Sequence, residues 1–368
     1  MFRGFALLGI LLLNIIGFGL LSPSYSNPAF DLIGSSAANS WTWGTVEVFA
    51  EGAMRCLFSI LFGAGVVLFT TGNNAKSGWT HYKRTFWLLV FGLFDAYLLL
   101  WNGDILVTYA LAGAVLYMLR NKSAKTLFIL SGALVLLMSM QHLGMAVALK
   151  QASILHEEVM TADPAVLYWN TKKNAEMYSM VLPMFLIWDA LAMMLLGMAF
   201  YKTGVLQAVR APAFYTKMMV FGFGIGLLVN GYEVHSAYTS HFDLFATFAQ
   251  MQPTYHIGRT GMAFGYIGLL GWICQQGYLK SLTTRLSAVG RMALTNYLMH
   301  SLICAIIFTG LGFGLLDQFQ RVELYAIVIG IWLFQLWLSP LWLMKFRFGP
   351  VEWLWRTLTY GIAPAFKR

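Results

Sequence analysis

Gly290 to Phe308 reads GRMALTNYLMHSLICAIIF, and Glu323 to Gly361 reads ELYAIVIGIWLFQLWLSPLWLMKFRFGPVEWLWRTLTYG. These two stretches decide the fold class. Each holds an apolar run near the ~20 residues a helix needs to cross a hydrocarbon core. The first carries Arg291, Asn296, Tyr297 and His300 within it, and the second runs into a proline- and tryptophan-containing tail. Pro350 suits a first helical turn, and Trp353 and Trp355 suit a headgroup layer, so 346–368 reads as a surface-lying tail on the cytoplasmic side.

The same pattern runs through the chain. Of 368 residues, 59% are hydrophobic and only 11% charged, with a mean hydropathy of +0.67. A soluble domain carries roughly 25% charged residues. The chain therefore reads as one integral membrane domain over 1–368, an all-α polytopic transmembrane helix bundle. Its net charge of +9 does not point to nucleic acid, because Lys and Arg are scattered through short loops. Cys56, Cys274 and Cys304 all sit in apolar runs and form neither a zinc spacing nor a disulfide framework.

About ten spans fit, near 4–22, 46–70, 85–100, 104–119, 127–149, 180–201, 216–232, 257–277, 289–312 and 323–344. Positive charge alternates between the loops. Lys76, Lys83 and Arg84 follow the second span, and Arg120, Lys122 and Lys125 the fourth. Lys202, Arg210 and Lys217 follow the sixth, and Lys280, Arg285 and Arg291 the eighth. Segments 23–45 and 233–256 have no Lys or Arg, and the loop 150–179 offsets its lysines with Glu157, Glu158, Asp163 and Glu176. The positive-inside rule then puts both termini in the cytoplasm of a bacterial inner membrane. The first apolar run is expected to be a retained helix, since no small-residue cleavage site follows it.

Charged groups inside spans are costly, so each is a site candidate. Glu47, Glu51 and Arg55 fall at i, i+4 and i+8, on one face of a continuous helix. Glu51 and Arg55 read either as a locking ion pair or as part of a polar pocket, with Glu51 as proton acceptor. Arg3 and Asn14 share a face of the first helix. Asp95 lies inside the third span, while Asp104 opens the fourth, where a carboxylate also caps a helix. Asp189, His256 and Arg259 lie toward the outer side, near Glu233, His235, His241 and Asp243 in outer loops. Those histidine spacings are too loose to predict a metal site. Asn296 and His300 share a face, and a buried histidine satisfied by an amide is the commoner case.

RGFALLGILLLNI at 3–15, EGAMRCLFSILFGAG at 51–65, LVFGLFDAYLLLWNGDILVTYALAG at 89–113 and the closing block together resemble the YeiB-like family of membrane proteins. That family, of unknown function, resembles in turn the transmembrane acyltransferases, which include a heparan-alpha-glucosaminide N-acetyltransferase and sugar O-acyltransferases. The resemblance implies transfer of an acyl group from cytoplasmic acyl-CoA to an acceptor on the far side. Arg3, Asn14 and Arg84 would then contact acyl-CoA, and Glu51, Asp95 and His300 would be the catalytic candidates. Glu47, Arg55, Asp104, Asp189, His256, Arg259, Asn296 and Tyr297 would line the acceptor site. The O-acyltransferases carry His where Asn14 stands, related chains often carry His at the Asp95 position, and 23–45 contains no His for the N-acetyltransferase role. Arg3 follows only Met1 and Phe2, so a start upstream is left open.

A second reading is a transporter or exporter of a small solute, with the intramembrane carboxylates as a proton relay. A scaffold without a polar cavity is a third. Membrane lipids and a small-molecule or envelope substrate are the expected partners, and an oligomer stays open.

Overall fold

The computed structural model describes residues 1–25, 27–28, 36–72, 75–101, 103–159, 186–242 and 253–368. Among them the chain is helical, with one isolated bridge between Phe346 and Lys367. In chain order the helices are α1 (Phe2–Gly19), α2 (Ala37–Phe49), α3 (Ala53–Thr70), α4 (Gly78–Leu98), α5 (Leu106–Leu119) and α6 (Ala124–Val159). Then follow α7 (186–202), α8 (Pro212–Thr239), α9 (Tyr255–Gln276), α10 (Lys280–Arg291), α11 (Ala293–Phe308), α12 (Arg321–Lys345) and α13 (Pro350–Tyr360). Asp163, Lys172, Lys173, Glu176 and Asp243, with the first residues of the expected span 180–201, lie outside the described residues.

Local chemistry sets many of the ends. Ser36 and Ser77 accept the backbone N–H of Asn39 (3.1 Å) and Thr80 (3.2 Å), capping α2 and α4. Gln320 and Glu323 form a capping box at α12. Pro340 inside α12 removes the backbone bond to the carbonyl four residues earlier. That carbonyl, Leu336 O, instead accepts from Arg285 Nη1 at 3.1 Å.

Among the described residues, five stretches are long and apolar enough to cross a membrane: Phe2–Gly19, Ala37–Thr70, Ala124–Gly144, Pro212–Thr239 and Arg321–Lys345. The bent pair α10–α11 makes up to six. α4, with 21 residues, is not among them, and α5, with 14 residues, is shorter than a crossing, so neither expected span 85–100 nor 104–119 is matched by a helix that passes this test. The loop expected from 150 begins inside α6, which runs on to Val159.

Burial separates the centre of the bundle from its rim. In α1 and in α2–α3, 67% of the apolar window is buried, against 17% in α6 and in α8. α6 and α8 thus turn apolar side chains outward, as lipid-facing helices do. α1 runs through the middle, against α3, α10, α11 and α12. α3 and α7 approach so closely that a Cβ at Gly63 would strike the Met194 carbonyl.

Two helix breaks correct the sequence reading. The expected span 46–70 is two helices, because Ala50 N and Glu51 N both bond to Val46 O (2.8 and 2.9 Å) and Gly52 adopts φ +64. Glu47 and Arg55 therefore do not share one continuous helical face. The expected span 289–312 starts at the 82° bend between α10 and α11, which puts Arg291 on a different helix from Asn296 and His300.

Candidate functional site

The break at 50–52 gathers charged side chains from α2, α3, α7, α8 and α9. Arg259, 1% exposed, donates from Nη2 to Glu47 Oε1 at 2.7 Å and from Nη1 to Glu233 Oε2. Thr254 donates to the other Glu233 oxygen at 2.6 Å. Glu51 accepts from Tyr25 OH at 2.7 Å and from Tyr255 OH at 3.3 Å. Arg55 donates to Tyr255 OH at 2.5 Å, with Glu51 at 3.9 Å and Asp189 at 3.6 Å. His256 Nδ1 faces Asp189 at 3.7 Å, and the His142 ring packs edge-on to that imidazole. A cavity of about 20 Å³ lies beside Glu47, Glu51, Tyr25 and Arg321, room for about one water-sized group.

A second constellation lies one helical turn along α3. A cavity of about 100 Å³ extends between α3, α4, α5 and the α10–α11 bend, with Phe58, Tyr109 and Tyr297 on its walls. Arg3, His81, Arg84 and Arg291 also line it. Arg84 is stacked between Phe69 (4.6 Å) and Trp355 (4.5 Å). None of the three arginines has an acidic partner within 4.0 Å among the described residues. The start of α11 opens on the same cavity. Glu352 of α13 fills that helix end, accepting Leu294 N at 2.6 Å, Thr295 N at 3.1 Å and Thr295 Oγ1 at 2.5 Å. A carboxylate thus occupies the anion position of a helix N-terminus.

Tyr109 joins the two. Its ring lines the cavity, while its hydroxyl sits 2.6 Å from Ser59 Oγ and donates to the Arg55 carbonyl at 3.4 Å. The Arg55 side chain belongs to the charged cluster, so the two constellations stand back to back across one residue.

The chain aligns over its whole length with the uncharacterized protein YeiB of Escherichia coli, at 33% identity and covering 97% of that protein. The chain belongs to the YeiB-like family. The family described as "Protein of unknown function (DUF418)" matches residues 200–362, from the end of α7 through α13. The uncharacterized protein YxaH of Bacillus subtilis is 29% identical over 97% of this chain and 92% of its own length. An uncharacterized 39.9 kDa protein encoded beside an amylase gene in Bacillus acidopullulyticus is 26% identical over 98% of this chain. No solved structure matches.

The remaining candidates fall elsewhere. Asp104 caps α5, accepting Val107 N at 2.9 Å, and accepts Tyr297 OH at 3.2 Å. Asp95, fully buried, sits beside Asp104 and Ser301 without a well-formed hydrogen bond. His300 bonds Gln335 at 2.9 Å. Asn296 donates to Ser339 and to Val289 O, both at 3.1 Å. Both residues hold α11 to its neighbours and line neither constellation. Asn14 is half-buried on α1 and also lines neither. No group of three or more metal-ligating side chains occurs among the described residues.

The sequence reading placed Glu233 in an outer loop because hydropathy falls there, but α8 continues to Thr239 and carries it into the cluster. Tyr25, Tyr255 and His142 had no signal, since aromatic residues abound in apolar runs. Glu352 looked like part of an anchor. Its position three residues after Gly349, just past Pro350, is the only hint of its reach.

Proposed function

We propose that this protein is an acyltransferase of the bacterial inner membrane, moving an acyl group from cytoplasmic acyl-CoA to a small acceptor on the envelope side. The carrying observation is the back-to-back arrangement across Tyr109. The charge alternation of the loops supports assigning the arginine-lined cavity to the cytoplasm, with both termini there. Arg3, Arg84 and Arg291 suit an anionic ligand, because among the described residues none of them has an acidic partner within 4.0 Å, although Glu352 lines the same cavity. A cavity of about 100 Å³ has room for a short acyl group, so the nucleotide would rest on the basic rim.

In the transfer, an acceptor O–H or N–H attacks the thioester carbonyl carbon. The C–S bond breaks, CoA leaves as thiolate, and a base takes the acceptor proton. Glu51 is the base this reading favours, as the carboxylate beside Tyr25 and Tyr255 at the cluster's edge. The test is purified full-length protein in nanodiscs with an acyl-labelled short-chain acyl-CoA. Saturable binding and CoA release that Arg84→Ala weakens would support the reading. Folded protein that neither binds nor cleaves the thioester would remove it.

Small-solute transport is the second reading, favoured by the helix breaks at Gly52 and at the 82° bend, each bordering a constellation. Solute flux in proteoliposomes without acyl-CoA would select it.

A further inference from the structure

We propose that Phe58 sets the length of the acyl chain that the arginine-lined cavity accepts, holding it to about two to four carbons. The proposal rests on that cavity being the acyl-donor site.

The cavity has two unlike ends. α3 runs beside it, starting at the Gly52 break and ending at Thr70. At ~1.5 Å per residue, Phe58 lies about 9 Å past Gly52 and Phe69 about 26 Å past it. The cations gather toward the Phe69 end. Arg84 stacks on Phe69 itself. Arg3 reaches Gly65, where a Cβ would meet its Nη2 at 3.4 Å. Arg291 follows Gly290, where a Cβ would lie 3.3 Å from the Arg3 Cβ.

The Phe58 end is apolar and closed. Leu88, Leu106, Tyr109 and Tyr297 line the cavity there, each at most 4% exposed. Both tyrosines are pinned by their hydroxyls. Tyr109 OH sits 2.6 Å from Ser59 Oγ. Tyr297 OH donates to Asp104 at 3.2 Å and accepts Ile105 N at 3.3 Å. Moving either ring would break a buried hydrogen bond. Phe58 differs from these four. It is half-buried, carries no polar atom, and is held by stacking on Tyr109 at 5.7 Å between centroids.

A chain entering past the arginines therefore ends against Phe58. A cavity of about 100 Å³ takes a few water-sized groups, which is the scale of a two- to four-carbon acyl chain, about. Each CH₂ that fits is buried against apolar walls and tightens binding about fourfold. A chain that does not fit must displace a packed ring or draw its carrier away from the arginines. Removing the Phe58 ring opens room for several more methylenes.

The test titrates the full chain in nanodiscs with unreactive S-ethyl-, S-butyl-, S-hexyl- and S-octyl-CoA thioethers, and empty nanodiscs correct for partition into lipid. In the wild type, S-butyl-CoA is expected to bind more tightly than S-ethyl-CoA, and S-octyl-CoA at least about tenfold more weakly than S-butyl-CoA. In Phe58→Ala, S-octyl-CoA is expected to gain at least about tenfold while S-butyl-CoA does not. A ring that served packing alone would give no gain confined to long chains. Should Phe58→Ala not fold, Phe58→Leu is expected to move the cut-off from S-butyl- to S-hexyl-CoA. No thioether binding, a wild type without a cut-off, or folded Phe58 variants that keep the wild-type cut-off would each overturn the proposal. The cut-off without CoA release from acyl-CoA would remove the transferase reading alone. Release that is indifferent to chain length in wild type and variant would remove this proposal alone.

Discussion

Arg259 on α9 holds Glu47 on α2 at 2.7 Å, tying together helices 212 residues apart in sequence. The same guanidinium holds Glu233 of α8. Removing it leaves two buried carboxylates without their cation. Loss of one member of a buried ion pair costs about 3–5 kcal/mol. Arg259→Ala is therefore expected to lower the midpoint of thermal unfolding in detergent steeply. Arg259→Lys should recover little, because one ammonium does not reproduce the fork that meets two carboxylates.

Gly52 makes that pairing possible. Its φ of +64 turns the chain between α2 and α3, and a Cβ there would run into the Arg259 side chain. A non-glycine residue in the left-handed region costs about 1–2 kcal/mol before any collision. Gly52→Ala should destabilise the protein by more than that, while an alanine at Gly224, with nothing within 4 Å, should be tolerated. Protease resistance of the two variants checks the contrast.

Glu352 gives a pH-dependent prediction. Burial, the largest effect, pushes its carboxyl above the ordinary value of 4.5, against the pull of bonds from Thr295 and Leu294. A raised folded value means that the folded protein binds the proton more tightly than the unfolded chain. Its contribution to stability is then complete below about pH 4.5 and is lost as pH rises through the folded value. The stability difference between wild type and Glu352→Gln should shrink or reverse from about pH 4 to pH 7. Glu352→Ala, which leaves the Leu294 and Thr295 N–H groups without their acceptor, should cost about 1–3 kcal/mol at any pH.

His300 tests packing against chemistry. It is 1% exposed and bonded to Gln335 at 2.9 Å. Replacing it alone with Leu strands a buried amide, at about 1–3 kcal/mol, whereas Leu at both positions should be close to neutral. If the double variant keeps wild-type stability and any thioester cleavage the wild type shows, His300 is a packing residue. Selective loss of cleavage would make it catalytic.

Charge in apolar surroundings was the legible part of this chain. Glu47, Glu51, Arg55, Asp189, His256 and Arg259 all stood out in sequence, and the structure brings them together. Their geometry was not legible, because i, i+4 spacing assumes a continuous helix and Gly52 breaks it. The all-helical class followed from the apolar runs, but segment ends did not. Polar residues such as Glu233 can continue a helix when a partner in another segment satisfies them. Arg84 was visible as a loop charge, whereas its stacking on Trp355 joins segments 271 residues apart and the reach of Glu352 to α11 spans 57 and 58 residues.

The most direct measurement is CoA release from a short-chain acyl-CoA by the full-length protein in nanodiscs, with water taking the acyl group where no other acceptor is supplied, for wild type, Arg84→Ala and Glu51→Gln. The account predicts saturable release by the wild type, weaker acyl-CoA binding in Arg84→Ala, and a rate lower by about a hundredfold or more in Glu51→Gln. Folded wild-type protein that releases no CoA, or a Glu51→Gln rate equal to the wild type, would contradict it.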